Sequence, residues 1–182
     1  MLRLNKNIKL IVTDFDGVLT DGYVFYSSVS DEEIKRISFK DIMGISLAVK
    51  NGYKVAIISG EKNKIIDKLA NKFLLQDVHQ GIKDKLTSLQ SIAEKYKLSC
   101  EEICFIGDDI NDISALEWAG TAITVPEANY KVKNVTNIII TDASAGNGAF
   151  REVIDSLLDC IENKKTKRAS ESAKPTESEP RN

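Results

Sequence analysis

The sequence predicts an α/β protein around a largely parallel sheet, and three observations carry that prediction. Short β-branched runs recur along the chain, and segments with apolar residues at three- to four-residue spacing separate them. Strands alternating with helices of this length imply βαβ units. Clusters of aspartate follow two of the runs, and open parallel sheets hold their ligands beyond the carboxyl ends of the strands.

In chain order, Ile8-Lys9-Leu10-Ile11-Val12 predicts a buried strand that ends at Asp14. Tyr23 to Tyr26 and Glu33 to Ile37 flank a polar turn over Ser27 to Glu32, which predicts a small β-hairpin inserted after strand one. Asp41 to Asn51 has helical spacing and closes at Gly52. Lys54 to Ser59 predicts the next strand, and Ile65, Ile66, Leu69 and Ala70 the next helix. Leu86, Leu89, Ile92, Ala93 and Tyr96 mark a further helix. Then come strand Ile103 to Ile106, helix Ile113 to Ala119, strands Thr121 to Val125 and Ile138 to Ile140, and a helix from Ala149 to Ile161. The expected architecture is Rossmann-like, three layers α/β/α, with no large cap domain and no stretch left for a second domain.

Composition sets the class. Apolar residues make up 42% and charged residues 29% of 182 residues, ordinary for one soluble domain. From Glu162 onward the chain holds almost nothing to bury, so the domain is expected over residues 1–161 and a disordered polar tail over 162–182. No basic stripe suggests nucleic acid, and no apolar run is long enough for a membrane span. Met1 to Lys9 does not read as a signal peptide, and the cytoplasm is the expected compartment. Cys100, Cys104 and Cys160 are odd in number and lack a CxxC, which argues against a disulfide framework or a zinc site. His79, the only histidine, and Trp118 read as structural residues.

Three polar clusters fall at strand ends: Asp14-Phe15-Asp16-Gly17, Ser59-Gly60, and Gly107-Asp108-Asp109-Ile110-Asn111-Asp112. Asp-x-Asp-Gly alone is commonly a turn, and Asp108 or Asp109 alone could cap the following helix. Both together after apolar strands, with Ser59 between them, point to one acidic site. Such carboxylates call for a hard cation, and Mg²⁺ suits oxygen ligands shared with a phosphate.

These motifs, with Lys85, resemble those of the haloacid dehalogenase-like phosphatase superfamily. Gln80-Gly81-Ile82-Lys83-Asp84-Lys85 and Gly146-Asn147-Gly148-Ala149-Phe150-Arg151-Glu152 narrow the resemblance. They are similar to the cap-less phosphatases of 3-deoxy-D-manno-octulosonate 8-phosphate and of related nine-carbon sugar acid 9-phosphates. The resemblance covers roughly residues 7 to 160. It implies Asp14 as nucleophile, Asp16 as acid and base, and Ser59 and Lys85 as holders of the phosphoryl oxygens. It implies Mg²⁺ on Asp14, on the Asp16 carbonyl and on Asp108, with Asp109 and Asp112 in support. Thr20, Lys40, Gly60, Glu61, Lys62 and Arg151 are the candidate substrate contacts. It also implies a homotetramer, in which Tyr23, Phe25 and Tyr26 of the hairpin serve as interface residues or as core, and the Gly-rich segment covers a neighbour's site.

Three departures bear on the sugar. Glu61 stands where enzymes of the eight-carbon acid usually carry arginine; nine-carbon relatives can show Gly-Glu-Lys, as Gly60-Glu61-Lys62 does here. Ala145 replaces a glycine, and Ile42 a small residue. On that basis the nine-carbon 9-phosphate is the expected substrate, with the eight-carbon 8-phosphate as alternative. Glu61 would then meet a hydroxyl or ammonium group, or else pair with Lys62 or Lys64 at a helix start. A non-catalytic partner of a sugar-acid synthase or cytidylyltransferase is the competing class, against which all five catalytic and metal-binding side chains are present. A receiver domain would lack Asp-x-Asp after strand one, and a dinucleotide enzyme would need Gly-x-Gly-x-x-Gly there.

Overall fold

The computed structural model describes the backbone of residues 1–30 and 32–172 and the side chains as far as Cys160, apart from residue 31. β1 (Leu10–Thr13) leads through a loop to β2 (Phe25–Tyr26) and β3 (Glu33–Ile34), and then to α1 (Phe39–Lys50). β4 (Lys54–Ser59), α2 (Lys64–Phe73), β5 (Asp77–Gln80) and α3 (Lys85–Tyr96) follow. β6 (Ile103–Ile106), α4 (Ile113–Trp118), β7 (Thr121–Thr124), α5 (Tyr130–Lys133), β8 (Ile139–Ile140) and α6 (Ala149–Ser172) complete the order.

Six strands form one parallel sheet in the order β5-β4-β1-β6-β7-β8. Strand-to-strand alternation divides the core in two. Ile11, Ile57 and Ile106 pack with Ile45, Ile66, Phe150 and Ile154 on one face. Val12, Ile58 and Phe105 pack with Leu89, Ile92, Leu116 and Val132 on the other. Each fully buried Ile or Leu contributes about 1.5–3 kcal/mol of transfer free energy, so the central strands hold both helical layers. The chain order reverses direction around β1, which puts the crevice above the ends of β4, β1 and β6. The architecture is thus three layers with a small antiparallel hairpin, β2 with β3, and no large cap.

Several boundaries differ from the sequence reading. β1 begins at Leu10, because Ile8 packs into the core ahead of the ladder. β5 carries no strand signal of its own: Asp77, His79 and Gln80, three of its four residues, are polar, and it lies at the sheet edge. There His79 Nδ1 lies 2.6 Å from Ser88 Oγ, a structural contact. α5 is too short to show a period. The α6 backbone runs to Ser172, past the helix end expected at Ile161; side chains from 161 on, and residues 173–182 altogether, lie outside the described residues.

Tyr23 and Tyr26 on the hairpin are 71% and 78% exposed, so the core reading of these aromatics does not hold. The Gly-rich segment is fixed from the opposite helix. Asp41 on α1, fully buried, accepts from the Gly148 amide at 2.9 Å and the Arg151 amide at 3.0 Å, capping the start of α6. Burial raises the Asp41 pKa against those same hydrogen bonds.

Candidate active site

β1 delivers Asp14 to the centre of the crevice. Its amide continues the ladder to the Ile106 carbonyl at 2.8 Å, and its Oδ1 accepts from the Phe15 amide at 2.6 Å. The chain then turns. Extended backbone would send Asp14 and Asp16 to opposite faces, but Leu19 and Thr20 both donate back to the Phe15 carbonyl at 3.0 Å. Gly17 is required twice over. Its φ is +77°, and a Cβ there would lie 2.1 Å from Asp108 Oδ2. The first and third motifs touch at that glycine.

Lys85 opens α3, yet its side chain is turned wholly inward. Its Nζ lies 2.7 Å from Asp14 Oδ2 and 2.7 Å from Asp112 Oδ1. Asp112, fully buried, also accepts from the Asp108 and Asp109 amides at 3.0 and 3.1 Å. Burial acts to lower the Lys85 pKa, but Asp14 and Asp112 overcome it and hold it above the ordinary value. Lys85 therefore stays charged, and the surplus is on the carboxylate side. Burial, and then the charge of Asp112, push Asp14 up to about 7 against the pull of Lys85. Burial, and then Asp14 and Asp112, push Asp108 up to about 8.

This cluster fits a divalent cation. Ligand atoms of Asp14, Asp108 and Asp112 all lie within 4.8 Å of one another. With all three carboxylates ionised, one ammonium leaves two negative charges in a site largely shielded from water. Asp108 Oδ1 is buried and has no hydrogen-bond partner among the described residues. An all-oxygen donor set with one unsatisfied oxygen suits a hard metal ion.

Above the cluster lies a cavity of about 250 Å³ lined by Asp14, Asp16, Ser59, Gly60, Glu61, Asp108 and Asp109, among others. Ser59 is buried there, and its Oγ accepts from the Glu61 amide at 3.2 Å. The Glu61 side chain forms no ion pair among the described residues, so the expected alternative of pairing with Lys62 or Lys64 is not found.

Four of the sequence-picked residues sit elsewhere. Thr20 is fully buried beneath the loop, where its Oγ1 accepts from the Gly17 and Gly22 amides at 3.2 and 3.3 Å, so it braces the turn. Arg151 Nε is engaged by Asp155 at 2.7 Å, one turn further along α6. Arg151 and Lys40 line a separate groove beside α6. Lys62 lies with Lys64 and Lys68 in another groove, its stem over Gly81.

Two residues at the site went unassigned in the sequence. Asn111 lines the cavity inside a motif already quoted. Lys35 donates to both Asp16 oxygens, at 2.9 and 2.8 Å. Glu33-Ile34-Lys35-Arg36-Ile37 reads only as one arm of the hairpin, and no local signal marks Lys35.

Comparison with known proteins agrees with this geometry. Residues 65–153 match the haloacid dehalogenase-like hydrolase family. The 3-deoxy-D-manno-octulosonate 8-phosphate phosphatase of Salmonella typhi is 32% identical over 153 residues, 84% of this chain and 80% of that protein. The crystal structure of the Moraxella catarrhalis 3-deoxy-D-manno-octulosonate 8-phosphate phosphatase, in complex with magnesium ion, phosphate ion and KDO, superposes with a TM-score of 0.82. It is 33% identical, over 91% of this chain and 94% of that one. A cobalt-bound form of the Haemophilus influenzae deoxy-D-mannose-octulosonate 8-phosphate phosphatase gives a TM-score of 0.80 at 30% identity, covering 86% and 91%. With the carboxylate cluster, the motif loops and this likeness in agreement, the chain belongs to the haloacid dehalogenase-like hydrolases, in the cap-less octulosonate 8-phosphate phosphatase subfamily, and is a metal-dependent phosphoric monoester hydrolase.

Proposed function

We propose that this protein hydrolyses the terminal phosphate of 3-deoxy-D-manno-octulosonate 8-phosphate, with Asp14 as nucleophile and Mg²⁺ as the cation. The observation that carries the reading is Asp14 held at a strand end between Lys85 and the Phe15 amide, facing the cavity. The likeness to octulosonate phosphatases supports the eight-carbon acid over the nine-carbon one that the sequence alone favoured.

In this reading Asp14 and Asp108 would hold the cation with the Asp16 carbonyl, the ligand set that the resemblance implies, while the Asp112 oxygens stay with Lys85 and the Asp108 and Asp109 amides. When bound, the metal neutralises the charge that would otherwise repel a phosphate dianion from a carboxylate. Asp14 attacks phosphorus and becomes a phosphoaspartate. Asp16 gives its proton to the departing sugar oxygen, then takes one from the water that cleaves the acyl phosphate. Ser59 and Lys85 hold phosphoryl oxygens, and Asp109 and Asp112 keep the third motif in place. Glu61 and Gly60 line the approach. Lys40, Lys62 and Arg151 meet sugar only if another copy of the chain brings them to its cavity. The exposed hairpin aromatics support such self-association, which sedimentation would report.

Glu61 favours the nine-carbon acid as a second reading, because its carboxylate would repel the acid end of a short substrate and can accept from a hydroxyl further along. The deciding experiment is kcat/KM for the eight-carbon 8-phosphate and the nine-carbon 9-phosphate, with the parent and with Glu61→Arg. The proposal requires the parent to favour the eight-carbon compound. A parental preference for the other, reversed by Glu61→Arg, would transfer the assignment to the nine-carbon acid.

A further inference from the structure

The second arm of the hairpin meets the catalytic loops at three successive alternate residues. Glu33 Oε1 accepts from Asn63 Nδ2 at 2.8 Å, next to the loop that carries Ser59 and Glu61. Lys35 Nζ reaches both oxygens of Asp16. Ile37 forms an isolated antiparallel bridge with Thr20. A period of two is that of extended chain, so one side of this arm runs along the mouth of the site. Between these contacts Arg36 pairs with Asp21 at 2.8 Å.

Lys35 stands out among them. Its side chain is only 5% exposed, while the Asp16 side chain it holds is 32% exposed toward the cavity. A lysine normally keeps its ammonium in water, and drawing it under a hairpin costs free energy that a purely decorative contact does not return. The other contact to the Asp16 carboxylate, from Thr20 Oγ1, is 3.4 Å long and too weak to fix its orientation. Charge-assisted bonds to both oxygens are strong and directional.

We propose that Lys35 is a positioning residue for leaving-group protonation, holding the Asp16 carboxyl in one orientation at the cavity mouth. The inference rests on Asp16 as the acid–base group of the reading above. As the P–O bond breaks, the proton on one Asp16 oxygen passes to the leaving oxygen, which departs as an alcohol. The other oxygen stays hydrogen-bonded to Lys35. In the second half-reaction the same carboxylate takes a proton from water.

The test compares leaving groups. p-Nitrophenolate departs without a proton, whereas a sugar alkoxide needs one. Lys35→Met keeps an apolar stem of similar length and removes the ammonium, which lies 6.0 Å from the Phe15 ring centroid; Lys35→Gln serves if the methionine form does not fold. On the better of the two sugar-acid phosphates, kcat/KM, which covers the steps through departure of the leaving group, should fall about 10-fold or more, within the range that a positioned acid supplies. On p-nitrophenyl phosphate the loss of kcat/KM should be less than about 3-fold, because hydrolysis of the phosphoaspartate, common to both compounds, does not enter that ratio. Lys35→Arg should recover most of the sugar-phosphate kcat/KM. Equal losses of kcat/KM on both compounds, or an unchanged kcat/KM on the sugar-acid phosphate, would overturn the inference. Asp16→Asn is measured alongside. If it too slows both compounds equally, the role of Asp16 itself is wrong; if it separates them and Lys35→Met does not, only the role of Lys35 is.

Discussion

At the floor of the cavity, Lys85 lies between Asp14 and Asp112 at 2.7 Å from each, and Asp112 in turn gathers the two amides of the third motif. At the rim, Glu61 has no ionic partner among the described residues, Arg151 turns to Asp155, and the hairpin presents Tyr23 and Tyr26 to solvent. The floor is over-determined by contacts within one chain, because a buried charge left alone is too costly to persist. The rim is held loosely, because exposed pairs contribute about 1 kcal/mol or less. Chemistry should therefore be robustly encoded here, and substrate choice easily retuned.

The sharpest way to break this contrast is at the floor. Asp14→Asn should lower kcat by about 10²-fold or more while the fold persists, since an amide is a poor nucleophile and a weaker metal ligand. Circular dichroism and phosphate release check both halves of that statement. Lys85→Met should cost about 3–5 kcal/mol of stability in the metal-free protein, as it strands Asp14 and Asp112 together. Urea unfolding measures it, and a loss under about 1 kcal/mol would mean the two carboxylates find another partner.

A smaller effect is expected from pH. In the metal-free fold burial pushes Asp14 up to about 7 and Asp108 up to about 8, against 3.8 ordinarily. Between those values the folded state binds protons that the unfolded state has released. Stability should then fall as pH rises from about 5 to 8, the sign set by the excess protons on the native side. Saturating Mg²⁺ should reduce that slope, because it binds the ionised form. Melting temperatures at several pH values, with and without Mg²⁺, would show it. The smallest effect belongs to the rim: Arg151→Gln should shift stability by no more than about 0.5 kcal/mol, the scale of a surface i,i+4 pair. A larger change in thermal denaturation would place Arg151 in a contact that the single chain does not contain.

The same contrast explains what was legible in the sequence. β4 and β6 match their predicted bounds, because Val55 to Ile58 and Ile103 to Ile106 are apolar at every position and end at motif residues. Asp14, Ser59 and Asp108 can be grouped because parallel topology brings strand ends together whatever the loops do, and Lys85 joins them through the family resemblance. Lys35 could not, since its burial depends on where a hairpin folds over rather than on its neighbours in sequence. Lys40 and Arg151 were picked from motif likeness, yet Asp41 and Asp155 draw that region of α1 and α6 to a different groove. β5 was hidden by its polarity as an edge strand.

The proposed chemistry turns on a covalent bond between Asp14 and phosphorus. Acid quench during turnover with Mg²⁺ and the sugar-acid phosphate, followed by borohydride reduction and peptide mass spectrometry, reads this directly. Reduction of a phosphoaspartate gives homoserine, so position 14 should read as homoserine, a change absent in Asp14→Asn and absent without substrate. Active protein that is never labelled at position 14, or is labelled at Asp16 or Asp108 instead, would contradict it.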